Sequence, residues 1–240
     1  MASAVIKNWD DKTWLSSQKY INSFNKFLIK NINLNLDSKI LDIGCSRGKI
    51  LGNLSSKLRL RSKPIGIDIT SHKDKDKRII FKKIDGLNFL INNKNNYDLI
   101  LIKQTIHLLK NKEINKLIKL SKKCLSINGK IAIFTLDPNK NEIPSFKLMK
   151  HKLQKSFARD KKIINLIRRN NKNVKIKKFI FRAEVSKKKY VQMINNRYIS
   201  TLLNFDNKKI KKGIDEIKLK FKKRIRFQDK LICIIMSNVS

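Results

Sequence analysis

The sequence predicts an α/β protein built on a doubly wound, largely parallel sheet with helices on both faces. Three observations carry this. Seven short segments have the apolar content, length and flanking turn residues of strands. Several of them, such as "YDLILI" and "KIAIFTL", are nearly continuous apolar runs, the pattern of strands covered on both faces. Helix-length amphipathic stretches alternate with the early strands, which is the signature of parallel crossover units.

In chain order, Lys12–Lys30 carries Trp14, Tyr20, Phe24 and Phe27 at helical spacing and reads as an N-terminal helix. The expected strands are Lys39–Ile43, Pro64–Ile69, Ile79–Ile84, Tyr97–Ile102, Lys130–Leu136, Val174–Val185 and Lys230–Ser237. Helices are expected over Lys49–Leu58 and Glu113–Leu125, then over Ser145–Arg169, where Phe146, Met149, Leu153 and Phe157 recur every three or four residues. Lys187–Phe221 reads as two further helices broken near "NFDN". No internal repeat or Pro/Gly/Ser-rich linker interrupts the chain, so residues 1–240 are expected to form one domain. Within it, the helix at 12–30 and the insertions at 139–172 and 187–225 exceed a minimal sheet. They can cap its C-terminal edge or extend its outer helix layers.

The apolar runs are too short to cross a bilayer, which takes about 20 residues. The N-terminus has no extended apolar region and carries acidic residues, unlike a secretory or transit peptide. Three widely spaced cysteines and three histidines argue against a disulfide framework or a zinc site, and no metal is expected. A reduced, cytoplasmic protein without a membrane partner is the expectation; oligomeric state is not legible. The charge is extreme: 57 Lys and Arg against 18 Asp and Glu, net +39. Such a balance attracts polyanions. The basic residues are mostly lysines spread along the whole chain beside abundant Asn and Ile, however, and these three types share AT-rich codons. The total therefore does not by itself indicate a nucleic-acid substrate.

Carboxylates are scarce, yet Asp42, Asp68 and Asp85 fall at or near the C-terminal ends of the first three expected strands. That is the edge where open parallel sheets bind ligands. Gly44 and Gly48 flank the first strand-to-helix turn, where backbone can approach a ligand closely. Asp68 follows Gly48 by twenty residues, the spacing at which an acidic side chain meets a ribose diol. A dinucleotide turn needs bare N–H groups for a pyrophosphate, and Asp42 immediately before "GCSRG" is a poor neighbour for one. "GCSRGKIL" also lacks the ending of a phosphate-binding P-loop. The electrostatics favour a cationic nucleoside.

These segments, "ILDIGCSRG", "IGID", "KKID" with Gly86, "YDLILIKQTIHLL" and "SKKCLSINGKIAIFT", resemble in order and spacing the successive motifs of class I S-adenosylmethionine-dependent methyltransferases. The resemblance covers about residues 37–136. It implies a Rossmann-like seven-stranded sheet whose last strand is antiparallel, with 37–136 as the cofactor-binding core and S-adenosyl-L-methionine as cofactor. It further implies that Asp42, Gly44, Cys45, Ser46 and Gly48 line the methionine end. Asp68 would hold the ribose with Ile69 against adenine, Asp85 and Gly86 would sit at the adenine edge, and Ile102 and Lys103 beside the methionine part. "WDDKTWLSSQKYINSF" and "YVQMINNRYISTL" are similar to the capping elements of the small-molecule branch that includes trans-aconitate-like methyltransferases. Ser46 departs from the family's usual middle glycine, a change that brings strain if its φ is strongly positive.

The expected reaction is transfer of a methyl group by in-line displacement to a small metabolite, an anionic one among the options. Alignment can supply much of the rate, and a base is needed only where the acceptor must lose a proton. His107 is the candidate base. Lys103, Gln104, Arg197 and Tyr198 are candidates for gripping substrate. Two other functions fit the same residues: a methyltransferase directed at RNA or other nucleic acid, suggested by +39, and a non-catalytic methyltransferase-like binding protein. Against the former, "LIKQT" lacks the Asn/Asp-Pro-Pro-aromatic run of amino-group methyltransferases acting on nucleobases.

Overall fold

The computed structural model describes residues 13–237 of the chain. Seven strands form one sheet: β1 (Ile40–Ile43), β2 (Ile65–Asp68), β3 (Ile80–Lys83), β4 (Tyr97–Lys103), β5 (Leu125–Leu136), β6 (Val174–Ser186) and β7 (Arg224–Ser237). Their spatial order is β3-β2-β1-β4-β5-β7-β6. The pairs from β3 to β5 are parallel, whereas β7 runs antiparallel to both β5 and β6. The Rossmann-like, doubly wound fold expected from the sequence is present, including the antiparallel last strand.

Period-two alternation divides the core between the two sheet faces. Ile40, Leu99, Leu101, Ala132, Phe134, Leu231 and Cys233 face one hydrophobic cluster. Leu41, Ile43, Ile100, Ile102, Ile131, Ile133, Ile232 and Ile234 face the other. Helices α1 (Gln18–Asn31) and α2 (Lys49–Leu58) cover the first face, and α3 (Gly86–Ile91) and α4 (Asn111–Lys123) the second. The long α5 (Lys147–Arg169) contributes Met149 and Leu153 to the first cluster and Ile163, Ile164 and Ile167 to the second. It therefore wraps the sheet rather than lying on one face. Helices α6 (Lys187–Asn195) and α7 (Asn207–Lys220) complete the first layer.

Several expected boundaries move for identifiable reasons. The N-terminal helix splits into a 3-10 turn at Trp14–Ser16 and α1, because the Ser17 hydroxyl accepts the Tyr20 N–H and starts a new helix. Lys12, where the helix is expected to begin, lies outside the described residues. The last strand begins at Arg224 instead of Lys230. Its charged start pairs with Ile180–Ser186 in a two-stranded extension that buries Ile225 and Phe227 while Arg224 and Arg226 meet Glu184 outside. The break at "NFDN" supplies Asp206 as the cap of α7, its side chain accepting the Lys209 N–H. No helix among the described residues is long and apolar enough to cross a membrane.

Candidate functional site

A cavity of about 740 Å3 lies at the C-terminal ends of β1 to β4, within the range of roughly 300–1,000 Å3 that small-molecule sites occupy. It sits at the β1/β4 junction, where the order of strand addition reverses. Asp42, Gly44, Cys45, Ser46, Asp68, Ile69, Asp85, Gly86, Lys103, Gln104 and His107 all line it. Gly48, Ile102, Arg197 and Tyr198 do not.

The first wall is the turn from β1 into α2. Gly44 has φ of 80°, and a Cβ there would lie 2.2 Å from Thr105 Oγ1. Gly48 has φ of 73°, and a Cβ would lie 2.1 Å from Ile79 Cδ1. Both positions demand glycine for conformation and for space. Ser46 also takes the left-handed region, at φ of 51°, where a non-glycine residue costs about 1–2 kcal/mol. Its N–H donates to Asp68 Oδ2 at 2.9 Å. The N–H groups of Gly44 and Cys45 donate to the Ile67 carbonyl at 2.8 and 3.0 Å. Three successive loop amides are thus engaged within the chain, so this turn does not present them as a phosphate cradle would.

The three carboxylates differ in what they hold. Asp68 accepts the Ser46 and Thr70 N–H groups, one on each oxygen. Asp85 caps α3, its Oδ1 accepting the Leu87 and Asn88 N–H groups at 2.9 and 3.1 Å. Asp42 is 4% exposed, and its Oδ1 has no hydrogen-bond partner. Burial pushes its carboxyl up to about 7; Lys103 opposes this and Asp68 adds to it. Ile69, immediately after Asp68, is 57% exposed and presents an apolar face to the cavity.

The loop after β4 forms the next wall. The Lys103 ammonium lies 5.4 Å from the Tyr20 ring centroid and 5.6 Å from that of Phe24, and donates to Gln104 Oε1 at 3.1 Å. Gln104 has φ of 52°. His107 sits in a 3-10 turn, Ile106–Leu108, rather than one turn into a helix. Burial, reinforced by the Arg159 guanidinium, pulls its imidazole down to about 4, so it is neutral at pH 7.

Arg197 and Tyr198 build the connection between α6 and α7. Arg197, at φ of 50°, donates to the Phe205 carbonyl at 3.1 Å and to Asn207 Oδ1 at 2.7 Å. Tyr198 is buried edge-on to Trp14, its hydroxyl 2.8 Å from that of Tyr190. The sequence reading missed the wall opposite β1 to β3, made by Lys152, Lys155, Ser156 and Arg159 of α5 and by Ser200 and Thr201. In a chain with 57 basic residues, their i, i+3, i+7 spacing is the one available signal for the three cations.

No protein-family model matches the sequence, and no curated protein matches it in sequence. Solved structures do match in fold. A putative methyltransferase from an antibiotic biosynthesis pathway of Anabaena variabilis is 16% identical, with 90% of this chain and 99% of that one covered at a TM-score of 0.66. A precorrin-6y C5,15-methyltransferase from Geobacter metallireducens is 10% identical, covering 99% of this chain and all of that one at 0.52. A phosphoethanolamine N-methyltransferase of Haemonchus contortus, solved with phosphomonomethylethanolamine and S-adenosylhomocysteine, is 14% identical at 0.52 and covers 98% of this chain but 61% of that one. At such identities the likeness establishes the fold.

Proposed function

We propose that the protein is an S-adenosylmethionine-dependent methyltransferase of the small-molecule branch that includes the trans-aconitate-like enzymes. The observation that carries the cofactor is Asp42: a buried carboxyl group, one of its oxygens without a partner, on a residue lining a cavity whose neighbouring amides are already engaged. A cationic ligand satisfies it; a pyrophosphate does not. When bound, S-adenosylmethionine supplies an activated methyl group for in-line attack by an acceptor lone pair. Asp42 would hold its ammonium, Asp68 the ribose hydroxyls and the exposed face of Ile69 the adenine, with Gly44, Cys45 and Ser46 against the methionine part.

Asp68 lines the cavity and is already oriented by two main-chain donors, so holding a ligand there would need little further ordering. His107 lines the cavity and is neutral, so it can accept a hydrogen bond from an acceptor hydroxyl or amine, although a value of about 4 makes it a weak base in the ligand-free chain. Residues 12–30, 139–172 and 187–225 would together form the substrate cap. Leu15 and Ser16 from the first, Lys152, Lys155 and Arg159 from the second, and Ser200 and Thr201 from the third all reach the cavity.

Thermal shift with S-adenosylmethionine and S-adenosylhomocysteine tests the cofactor assignment. Wild type should be stabilised by both, and Asp68→Ala should bind at least about tenfold more weakly, as expected for losing one charge-assisted hydrogen bond. Equal shifts for the two proteins, or none for wild type, would sink it. Isotope transfer from labelled cofactor into cell extracts, followed by identification of the product, separates an enzyme from a non-catalytic binder. The same assay separates a small acceptor from RNA, which the charge of +39 alone favours.

A further inference from the structure

The carboxylates around the cavity are confined to one end, where Lys49 and Lys103 also line it. Its acidic side chains, Asp42, Asp68 and Asp85, all come from the ends of β1, from β2 and from just after β3. Those strands occupy one side of the sheet order, whereas α5 packs on β5, on the other side of β4, beside the turns at Ile106–Leu108 and Ser200–Leu202. From α5 come Lys152, Lys155 and Arg159, spaced so that one helix face turns all three toward the same space.

Most exposed lysines have no ion pair among the described residues, although Arg224 and Arg226 meet Glu184 and Lys209 meets Asp206. What sets the α5 cations apart is their place on the cavity wall. On the cavity face of α5, Lys152 and Lys155 have no ion pair among the described residues, and Arg159 has only 3.5 Å contacts with Asp160. Other lysines of the same helix, Lys161 and Lys162, do not line the cavity. The Ser200 and Thr201 hydroxyls also line the cavity and are donors suited to oxygen-rich ligands, while the Ser156 hydroxyl donates back to the Lys152 carbonyl.

We propose that the methyl acceptor is a small anion, bearing a carboxylate or phosphate group that Lys152, Lys155 and Arg159 hold at the α5 wall. The inference rests on the methyltransferase reading for the word acceptor, but the anion site itself stands on the α5 geometry. Arg159 supplies a planar fork for two oxygens, and the two lysines supply adjustable point charges. The group is held away from the strand-end carboxylates that would repel it, which orients the rest of the acceptor toward Asp42 and His107. Because Arg159 adds to the burial that keeps His107 deprotonated, an anion beside that guanidinium should raise the histidine's proton affinity.

The experiment uses the full chain in 150 mM NaCl with and without saturating S-adenosylhomocysteine. Inorganic phosphate and succinate are titrated separately by calorimetry. The site variant is K152Q/K155Q/R159Q, and the control K161Q/K162Q/K172Q removes the same charge away from the cavity. Wild type and control should bind phosphate or succinate saturably, with the more tightly bound of the two identifying the source of the anion. The site variant should bind at least about tenfold more weakly, the loss expected for removing charge-assisted contacts, while S-adenosylhomocysteine affinity stays within twofold. Equal weakening in both variants would reduce the effect to bulk charge and overturn the proposal, as would a wild type with no saturable anion binding. A short RNA that displaces phosphate from wild type but not from the control would overturn the small-molecule form. Failure to bind S-adenosylhomocysteine in wild type would remove the cofactor reading and leave the anion result to be read by itself.

Discussion

The two ends of the cavity are built in opposite ways. At the β1–β3 end, Asp68 and Asp85 are held by main-chain N–H groups, and the loop between β1 and α2 is fixed by two glycines that nothing larger can replace. At the α5 end, Lys152, Lys155 and Arg159 are exposed, long and adjustable. A pre-organised wall loses little entropy on binding and suits one invariant ligand. A flexible wall follows its ligand and is easily re-tuned. On the methyltransferase reading proposed above, the contrast puts the cofactor at the pre-organised end and the acceptor at the other.

The largest test of the contrast is Asp42→Asn. With a folded-state value of about 7 against an ordinary 3.8, Asp42 keeps its proton in the folded chain where the unfolded chain has lost it. Its contribution to stability is therefore full below pH ~3.8 and is lost as pH rises through ~7. At pH 8 the ligand-free protein buries an unfavourable charge. Asp42→Asn should raise its stability there by roughly 4 kcal/mol, at about 1.4 kcal/mol per pKa unit. It should also weaken S-adenosylhomocysteine binding by about ten- to a hundredfold. Denaturant melts with and without ligand check both. A variant that keeps its affinity would mean that Asp42 does not meet the cationic end. Wild type should also release a proton on binding near neutral pH, visible as a dependence of calorimetric heat on buffer ionisation enthalpy.

His107 joins the two ends and gives the next effect in size. Its folded value of about 4 lies below the ordinary 6.5, so the unfolded chain takes up the proton first. Stability should fall as pH drops from ~6.5 to ~4 and level off below that. His107→Gln should flatten that stretch, with a gap of roughly 3 kcal/mol at pH 4 set by the shift. Adding phosphate at the α5 wall should move the wild-type transition upward, because the anion offsets Arg159. A pH profile unmoved by phosphate would separate the histidine from the anion site.

How much of this was legible in the sequence follows the same division. The β1–β4 half is decided locally: an apolar strand, a glycine turn, a helix start and a carboxylate at each strand end are neighbours in the chain. "ILDIGCSRG" therefore announced its own geometry. The α5 wall is decided by tertiary packing. Helix periodicity puts Lys155 and Lys162 on the same face of α5, and no local rule says that only the first reaches the cavity; the distinction comes from α5 crossing the sheet. Arg197 and Tyr198 illustrate the same difficulty. Both have the chemistry to grip a carboxylate, yet Phe205, Asn207 and Tyr190 engage them away from the cavity. The charged beginning of β7 escaped because half of its alternation is outward-facing arginine.

The smallest effect belongs to Ser46. At φ of 51° it occupies a conformation that glycine adopts freely. Ser46→Gly relieves about 1–2 kcal/mol of strain in the folded loop, but frees the unfolded chain by roughly 0.5–1 kcal/mol. The two nearly cancel, so the melting midpoint should change little, with a net effect below about 1 kcal/mol. The bond that matters for the site, from Ser46 N–H to Asp68 Oδ2, is a main-chain donor and survives in glycine. S-adenosylhomocysteine affinity should stay within about threefold, since no charge-assisted bond is lost. A β-branched side chain cannot take this conformation cheaply, so Ser46→Val should lose both stability and affinity. If Ser46→Gly instead loses affinity tenfold, the hydroxyl itself touches the ligand, and the rigid end of the cavity owes its shape to a side chain as well as to its backbone.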